Sequence, residues 1–198
     1  MHMVAQVENA IVAAIKAAAT GFSGLSQAGI ESYGGQLDDE TFEWVRTLPA
    51  IWVVFAGVPG KPARHGTARD KWLFPATFTV FCGQRNLADN KRLRQGDAKN
   101  PGVYALLQLV REALLGQDLG LPIEAFEPGP VRVTTSVVVN RDGVMVYASD
   151  WSTRWVETVE KAPAAPEGWL DRIGLQYFLK PGDAVADAAD EITTRSLP

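Results

Sequence analysis

YGGQLDDETFEWVRTLPAIWVVFAG, residues 33–57, is the stretch on which the fold turns. It starts with a Gly-Gly turn, passes an acidic segment and reaches Leu48-Pro49, after which six apolar residues follow without interruption. Ala50, Ile51, Trp52, Val53, Val54 and Phe55 are rich in β-branched and aromatic types, and Pro49 and Gly57 bound them, so they predict a buried strand. Upstream, Asp38 or Asp39 can cap a brief helix reaching Arg46, because a short carboxylate accepts the free N–H groups of a first turn. No catalytic group lies in the run, so this region reads as a fold element.

Working outward, Val4, Val7, Ile11, Val12 and Ile15 recur at helical spacing among alanines and predict a first helix over 4–19, stopping near Gly21. Residues 28–33 read as a short strand ended by Gly34-Gly35. Downstream, GVPGKPARHGTARDK (57–71) is a long glycine- and proline-rich loop carrying Lys61, Arg64, Arg69 and Lys71. Trp72, Phe74, Ala76, Phe78, Val80 and Cys82 then alternate with Leu73, Thr77 and Thr79, the period of a half-buried strand, and Pro75 points to an edge position or bulge. A second basic loop, 84–100, carries Arg85, Lys91, Arg92, Arg94 and Lys99. Asn100 as cap and Pro101 in the first turn open a helix that presents Val103, Leu106, Leu107, Val110 and Leu114 and ends at Gly116.

The remainder is β-rich. Val131, Val133, Thr135, Val137 and Val139 alternate with polar residues, Asn140-Arg141-Asp142-Gly143 turns the chain, and 144–159 returns as the second strand of an antiparallel hairpin. KAPAAPEG (161–168) reads as a linker, 173–179 as one added strand, and DAVADAADEITTRSLP (183–198) as a mobile acidic tail. The expected class is α+β, a mostly antiparallel sheet with helices packed on one face. A domain over 1–160 and a C-terminal extension over 161–198 are expected.

Bulk properties narrow the function. The chain has 198 residues, 46% hydrophobic and 21% charged, which is enough for a proper core in a globular protein. A net charge of −4 gives no global drive toward DNA or an anionic membrane. Cys82 is the single cysteine, so no intramolecular disulfide forms, which fits a reducing cytoplasm. Glu8 and Lys16 interrupt the N-terminal stretch, which argues against a signal peptide, and no run of about 18 apolar residues predicts a membrane span.

Candidate chemistry is sparse. Gly24-Leu25-Ser26-Gln27-Ala28 approaches a nucleophile elbow but ends in alanine, and His2 and His65 are the only histidines available as a base. One cysteine and two separated histidines do not make a zinc cluster, and Asp38-Asp39-Glu40 reads better as capping chemistry than as a magnesium site. Gly57-Val58-Pro59-Gly60-Lys61 lacks phosphate-loop spacing. No catalytic residue, metal or cofactor is expected. The basic loop 84–100 admits three readings: a solvated loop, an interface with an acidic neighbour, or a DNA contact. Trp151 and Trp155, four apart on a strand, share a face that is either core or a subunit contact.

Four segments, ENAIVAAIKA, QLDDETFEWVRTLPAIWVVFAG, FTVFCGQRN and PGVYALLQLVREALLGQDLGL, together resemble a family of tail proteins from Mu-like bacteriophages and prophages, over about residues 4–160. The family looks like tail terminators. The resemblance implies a structural protein that forms a ring, hexameric in this kind of protein, on the head-proximal end of the tail tube. Its implied partners are copies of itself, the tail tube protein and head-tail connector proteins, with DNA contact in the lumen as a further option. The implied location is the virion tail, with assembly in the host cytoplasm. Candidate contact residues are Lys61, Arg64, Arg69, Lys71, Arg85, Lys91, Arg92, Arg94, Lys99, Trp151 and Trp155. A neck or tail-completion protein, a nucleic-acid-binding protein and a tail-associated hydrolase remain the alternatives.

Overall fold

The computed structural model describes residues 2–38, 43–67, 70–85, 90–96, 101–134, 143–159, 172–177 and 188–193. Two compact units divide the chain, Met1–Thr158 and Val159–Pro198. In the first, helix α1 (Met3–Ala18) leads to strand β1 (Ile30–Ser32), β2 (Ala50–Gly57), the two-residue β3 (Ala63–Arg64) and the long β4 (Lys71–Arg85). Helices α2 (Asn90–Gln95) and α3 (Val103–Leu114) follow, then β5 (Glu127–Thr134) and β6 (Val144–Thr158). The strand order is β1-β2-β4-β6-β5, with β3 on β4. The class is α+β: β1 and β2 run parallel, and the other pairs are antiparallel.

The apolar run that predicted a strand is β2, entered through a cis Leu48-Pro49 bond, and its alternation divides the core. Ile51 and Val53 join Ala76, Phe78, Val80 and Cys82 of β4 and Trp151 and Trp155 of β6 on one face. There they meet Val7, Ile11 and Ile15 of α1 and Val103, Leu106, Val110 and Leu114 of α3, so both long helices cover the same side of the sheet. Ala50 and Trp52 point the other way, into a smaller cluster with Val45, Val144 and Val146. Tyr33, Leu37 and Leu48 from the 33–48 segment pack against it. This arrangement explains the parallel pair: the crossover between β1 and β2 covers one end of the sheet's second face.

Several sequence expectations change. Where a brief helix capped by Asp38 or Asp39 was expected, Gln36–Asp38 and Glu43–Thr47 are short 3₁₀ turns, and residues 39–42, with Asp39, lie outside the described residues. Pro75 sits in β4, which is central in the sheet. It falls between the last β2 pair at Thr77 and the first β3 pair at Leu73, so it faces no partner on that side and needs no N–H there. Helix α3 is entered at Gly102 without a side-chain cap; Asn100 lies outside the described residues. Leu109, not Leu107, completes its buried face. The loop 84–100 contains α2, and the loop 57–71 contains β3, so neither is a plain connection.

In the second unit, β7 (Arg172–Tyr177) pairs antiparallel with β8 (Ala188–Thr193). The tail expected to be mobile therefore holds a strand at 188–193, while the linker 161–168 lies outside the described residues.

Cys82 is fully buried on the helix-covered face of β4, and burial pushes its thiol well above the usual range. A maleimide is expected to leave the native protein unlabelled and to react once urea unfolds it. Native-state labelling at the rate of a free thiol would mean that β4 opens locally.

Candidate assembly surfaces

The basic candidates fall into two groups fixed by β4. At its start, Lys61, Arg64 and Lys71 are exposed, and the Arg64 guanidinium lies 5.7 Å from the centroid of the Trp72 ring. That cation–π contact is worth about 0.5–1 kcal/mol at an exposed site. His65 N–H closes the loop on the Lys71 carbonyl at 2.9 Å. At the other end of β4, Arg85, Lys91 and Arg92 are exposed and Arg94 is half-buried in the last turn of α2. Arg69 and Lys99 lie outside the described residues. Fifteen extended residues separate the groups by about 45 Å, so they form two surfaces and not one patch.

The tryptophan pair takes the core reading. Trp151 and Trp155 are each 2% exposed, which leaves nothing for a neighbouring subunit to grip and removes them from the contact candidates. Trp155 packs on Phe74 at 5.0 Å and donates to Glu157 at 2.9 Å. The Trp151 Nε1–H is buried and finds no acceptor among the described residues.

One surface was missed by sequence reasoning. β5 is the edge strand, and α1 and α3 do not reach over it, so Val131 and Val133 are 55% and 47% exposed. Paired with Ser149 and Tyr147 of β6, these valines lie on the helix side of the sheet beside Tyr104 of α3, itself 46% exposed. A groove of about 220 Å³ runs between α3 and β5, walled by Tyr104, Leu107, Arg111, Val131, Ser149 and Trp151. Tyr104 and Tyr147 meet edge-to-face at 5.9 Å. Burial, then the hydroxyl bond to Tyr104, raises the Tyr147 phenol above its ordinary range, while the charge of Arg94 pulls the other way. The groove thus combines apolar lining from Leu107, Val131 and Trp151 with one cation, Arg111. The available signal was Tyr104 and Leu107, which sit off the deeply buried stripe of α3.

The opposite face, besides its smaller apolar cluster, carries a polar tie. Asp150 of β6 accepts from Thr79 of β4 at 2.7 Å and pairs with Arg132 of β5, tying three strands together. A smaller cavity of about 160 Å³ beside it is lined by Pro59, Pro75, Glu124, Ser152 and Arg154, with Arg154 and Glu124 paired across it. Farther along β6, Val156 is 40% exposed opposite Leu73.

His2 is spent on capping α1, accepting from Val4 N–H, and Ser26 caps the turn at Gln27–Gly29, accepting from Ala28 N–H at 3.2 Å. His65 stands exposed in the 57–71 loop. Among the described residues no group of three or more His, Cys, Asp or Glu side chains is arranged to hold a metal ion.

Residues 3–156 match the model of the family described as "Bacteriophage Mu, Gp37". No curated protein matches the sequence.

Proposed function

The chain belongs to the bacteriophage Mu Gp37 family, and from that premise we propose that this phage structural protein is a tail terminator: a subunit of a ring that caps the tail tube, stops its polymerisation and offers a surface for head joining. The observation that carries the reading is the uncovered apolar flank of β5 and α3. Contiguous exposed apolar surface rimmed by charge marks a protein contact. A closed ring requires each subunit to use two different patches on its neighbours. The groove at Tyr104 and Val131, with Val133 exposed beside it on β5, supplies one. Val156 with Leu73 supplies another on the opposite face, roughly 30 Å farther along β6. The two basic groups suit an adaptor between unlike partners, because a rigid 15-residue strand holds them apart. In this reading one group meets the tube and the other the connector, and the protein sits in the virion at the head-proximal end of the tail.

The test is deletion of the gene in its parent phage, followed by electron microscopy of the tails. Overlong tubes of variable length are expected. Tails of normal length lying apart from filled heads would overturn the terminator reading in favour of a neck or tail-completion protein.

A further inference from the structure

Resting on the ring reading, we infer that copies of this chain join through the two edges of the sheet, β5 of one subunit pairing antiparallel with β1 of the next. Among the described residues, β1 and β5 end the strand order. The pairings between them form continuous rows. One row is Ser32–Val53–Val80–Ser149–Val131, the next is Glu31–Trp52–Phe81–Ala148–Arg132, and the third is Ile30–Ile51–Cys82–Tyr147–Val133. The whole of β1 therefore stands level with Val131, Arg132 and Val133, at the far side of the sheet. β1 runs with β2, and β5 runs against both. A rotation about an axis along the strands keeps level, direction and face. It carries β1 of one copy beside β5 of its neighbour as an antiparallel partner.

Backbone direction agrees. The Tyr33 N–H donates to the Val53 carbonyl at 2.7 Å, so Tyr33 turns toward β2 and Ser32, one residue earlier, turns its N–H and C=O outward. Carried along the first row, the same alternation joins Val80 to Ser149 and leaves the N–H and C=O of Val131 outward, facing those of Ser32 in the next copy. Pro128 and Pro130 lack N–H groups, so an added strand is directed to residues 131–134. Charge agrees as well. Glu31 and Arg132 stand in one row, on the face away from the long helices, and both are exposed. Glu31 holds Gln36 through Oε1 and Arg132 holds Asp150 through Nη1, so each keeps a further polar atom for the other. A second copy is the occupant because the chain's own two edges match in level, direction, face and charge.

A full-length double variant, Ser32→Cys with Val131→Cys, tests the contact. Both positions are exposed, and Cys82 is buried and does not compete for the disulfide. Within one chain the two positions lie four strand spacings apart, about 19 Å, too far to bridge. Across the inferred pair their Cα atoms stand about 5.5 Å apart, within disulfide reach. Mild oxidation of the double variant is expected to give a ladder of covalent multiples of the 21.5 kDa chain, several-fold above either single variant. Replacing Val131→Cys by Val133→Cys, which shifts the thiol along β5, should cut the ladder several-fold. Glu31→Arg in the double variant should also cut it, and an undiminished ladder there would overturn the match with Arg132. Dimers from Val131→Cys alone would show β5 pairing with itself and overturn the inference. Native mass spectrometry on the reduced samples reads the ring separately. A ring without the ladder overturns this inference and leaves the terminator reading standing, whereas a monomer at all concentrations overturns both.

Discussion

Gly102→Ala is expected to destabilise the protein by about 3 kcal/mol, although it adds one methyl group. Gly102 holds φ −76° and ψ 164°, which any residue adopts, so backbone strain contributes nothing. The cost is steric. A Cβ there would collide with the Arg94 carbonyl oxygen, the Gly96 nitrogen and the Gln95 carbonyl carbon, all backbone atoms of the end of α2. Backbone does not swing aside as a side-chain tip does, so α2 must move as a body. The junction is tied elsewhere too: the Gly96 N–H donates to Arg92, and the buried Gln84 amide donates to the Pro101 carbonyl. A loss of that size lowers the melting temperature by roughly 6–12 °C for a domain of this length. Gly116→Ala is the matched control. Its φ is +70° and open space surrounds it, so only the left-handed backbone penalty of about 1–2 kcal/mol applies. Calorimetry that finds Gly102→Ala no worse than Gly116→Ala would mean that α2 is loosely held. Because α2 carries Arg94 toward Tyr147, the same substitution should also weaken the influence of that charge on the Tyr147 phenol.

Phe78→Ala should cost about 3–5 kcal/mol, the range for emptying a buried aromatic site. Phe78 is fully buried at the middle of β4, opposite Phe55 of β2 and Trp151 of β6, so one row of aromatics crosses three strands. Its ring lies 5.5 Å from Phe55 and 6.4 Å edge-to-face from Phe126, which anchors the chain after α3. The neighbours belong to a paired sheet and to a pinned loop, so little collapse into the cavity is expected. Domains of this kind have about 5–15 kcal/mol of stability in all, so the variant sits near the limit of folding. In urea, with a slope of about 2 kcal/mol/M, the midpoint should fall by about 2 M. Phe78→Leu keeps most of the volume and should lose about 1.5 kcal/mol. A Phe78→Ala midpoint within 0.5 M (about 1 kcal/mol) of the parent would show that the row is not the centre of the core.

The face assignments were legible wherever a strand is covered. The alternation from Trp72 to Cys82 sorted β4 correctly, because period 2 decides which side chains share a side. The same rule applied to Val131 and Val133 identified their common face and failed on its environment. Alternation records which residues point together and is silent on whether another element lies over them. Leu107 failed for a related reason: the helical period marks a stripe, and the width of the stripe that is buried depends on what packs beside it. Trp151 and Trp155 were left open between core and contact, and the presence of α1 and α3 over β6 resolves them.

The sequence by itself determined the identity of the elements that are rich in local signal: the apolar stripe of α1, the run of β2, the alternation of β4 and the α+β class. Local spacing along the chain carries those, since dihedral preference and side-chain direction are properties of neighbouring residues. Tertiary structure alone decided the strand order, the parallel β1–β2 pair and the exposure of β5 beside α3. Each of these depends on pairings between residues far apart in the chain, which no local period encodes.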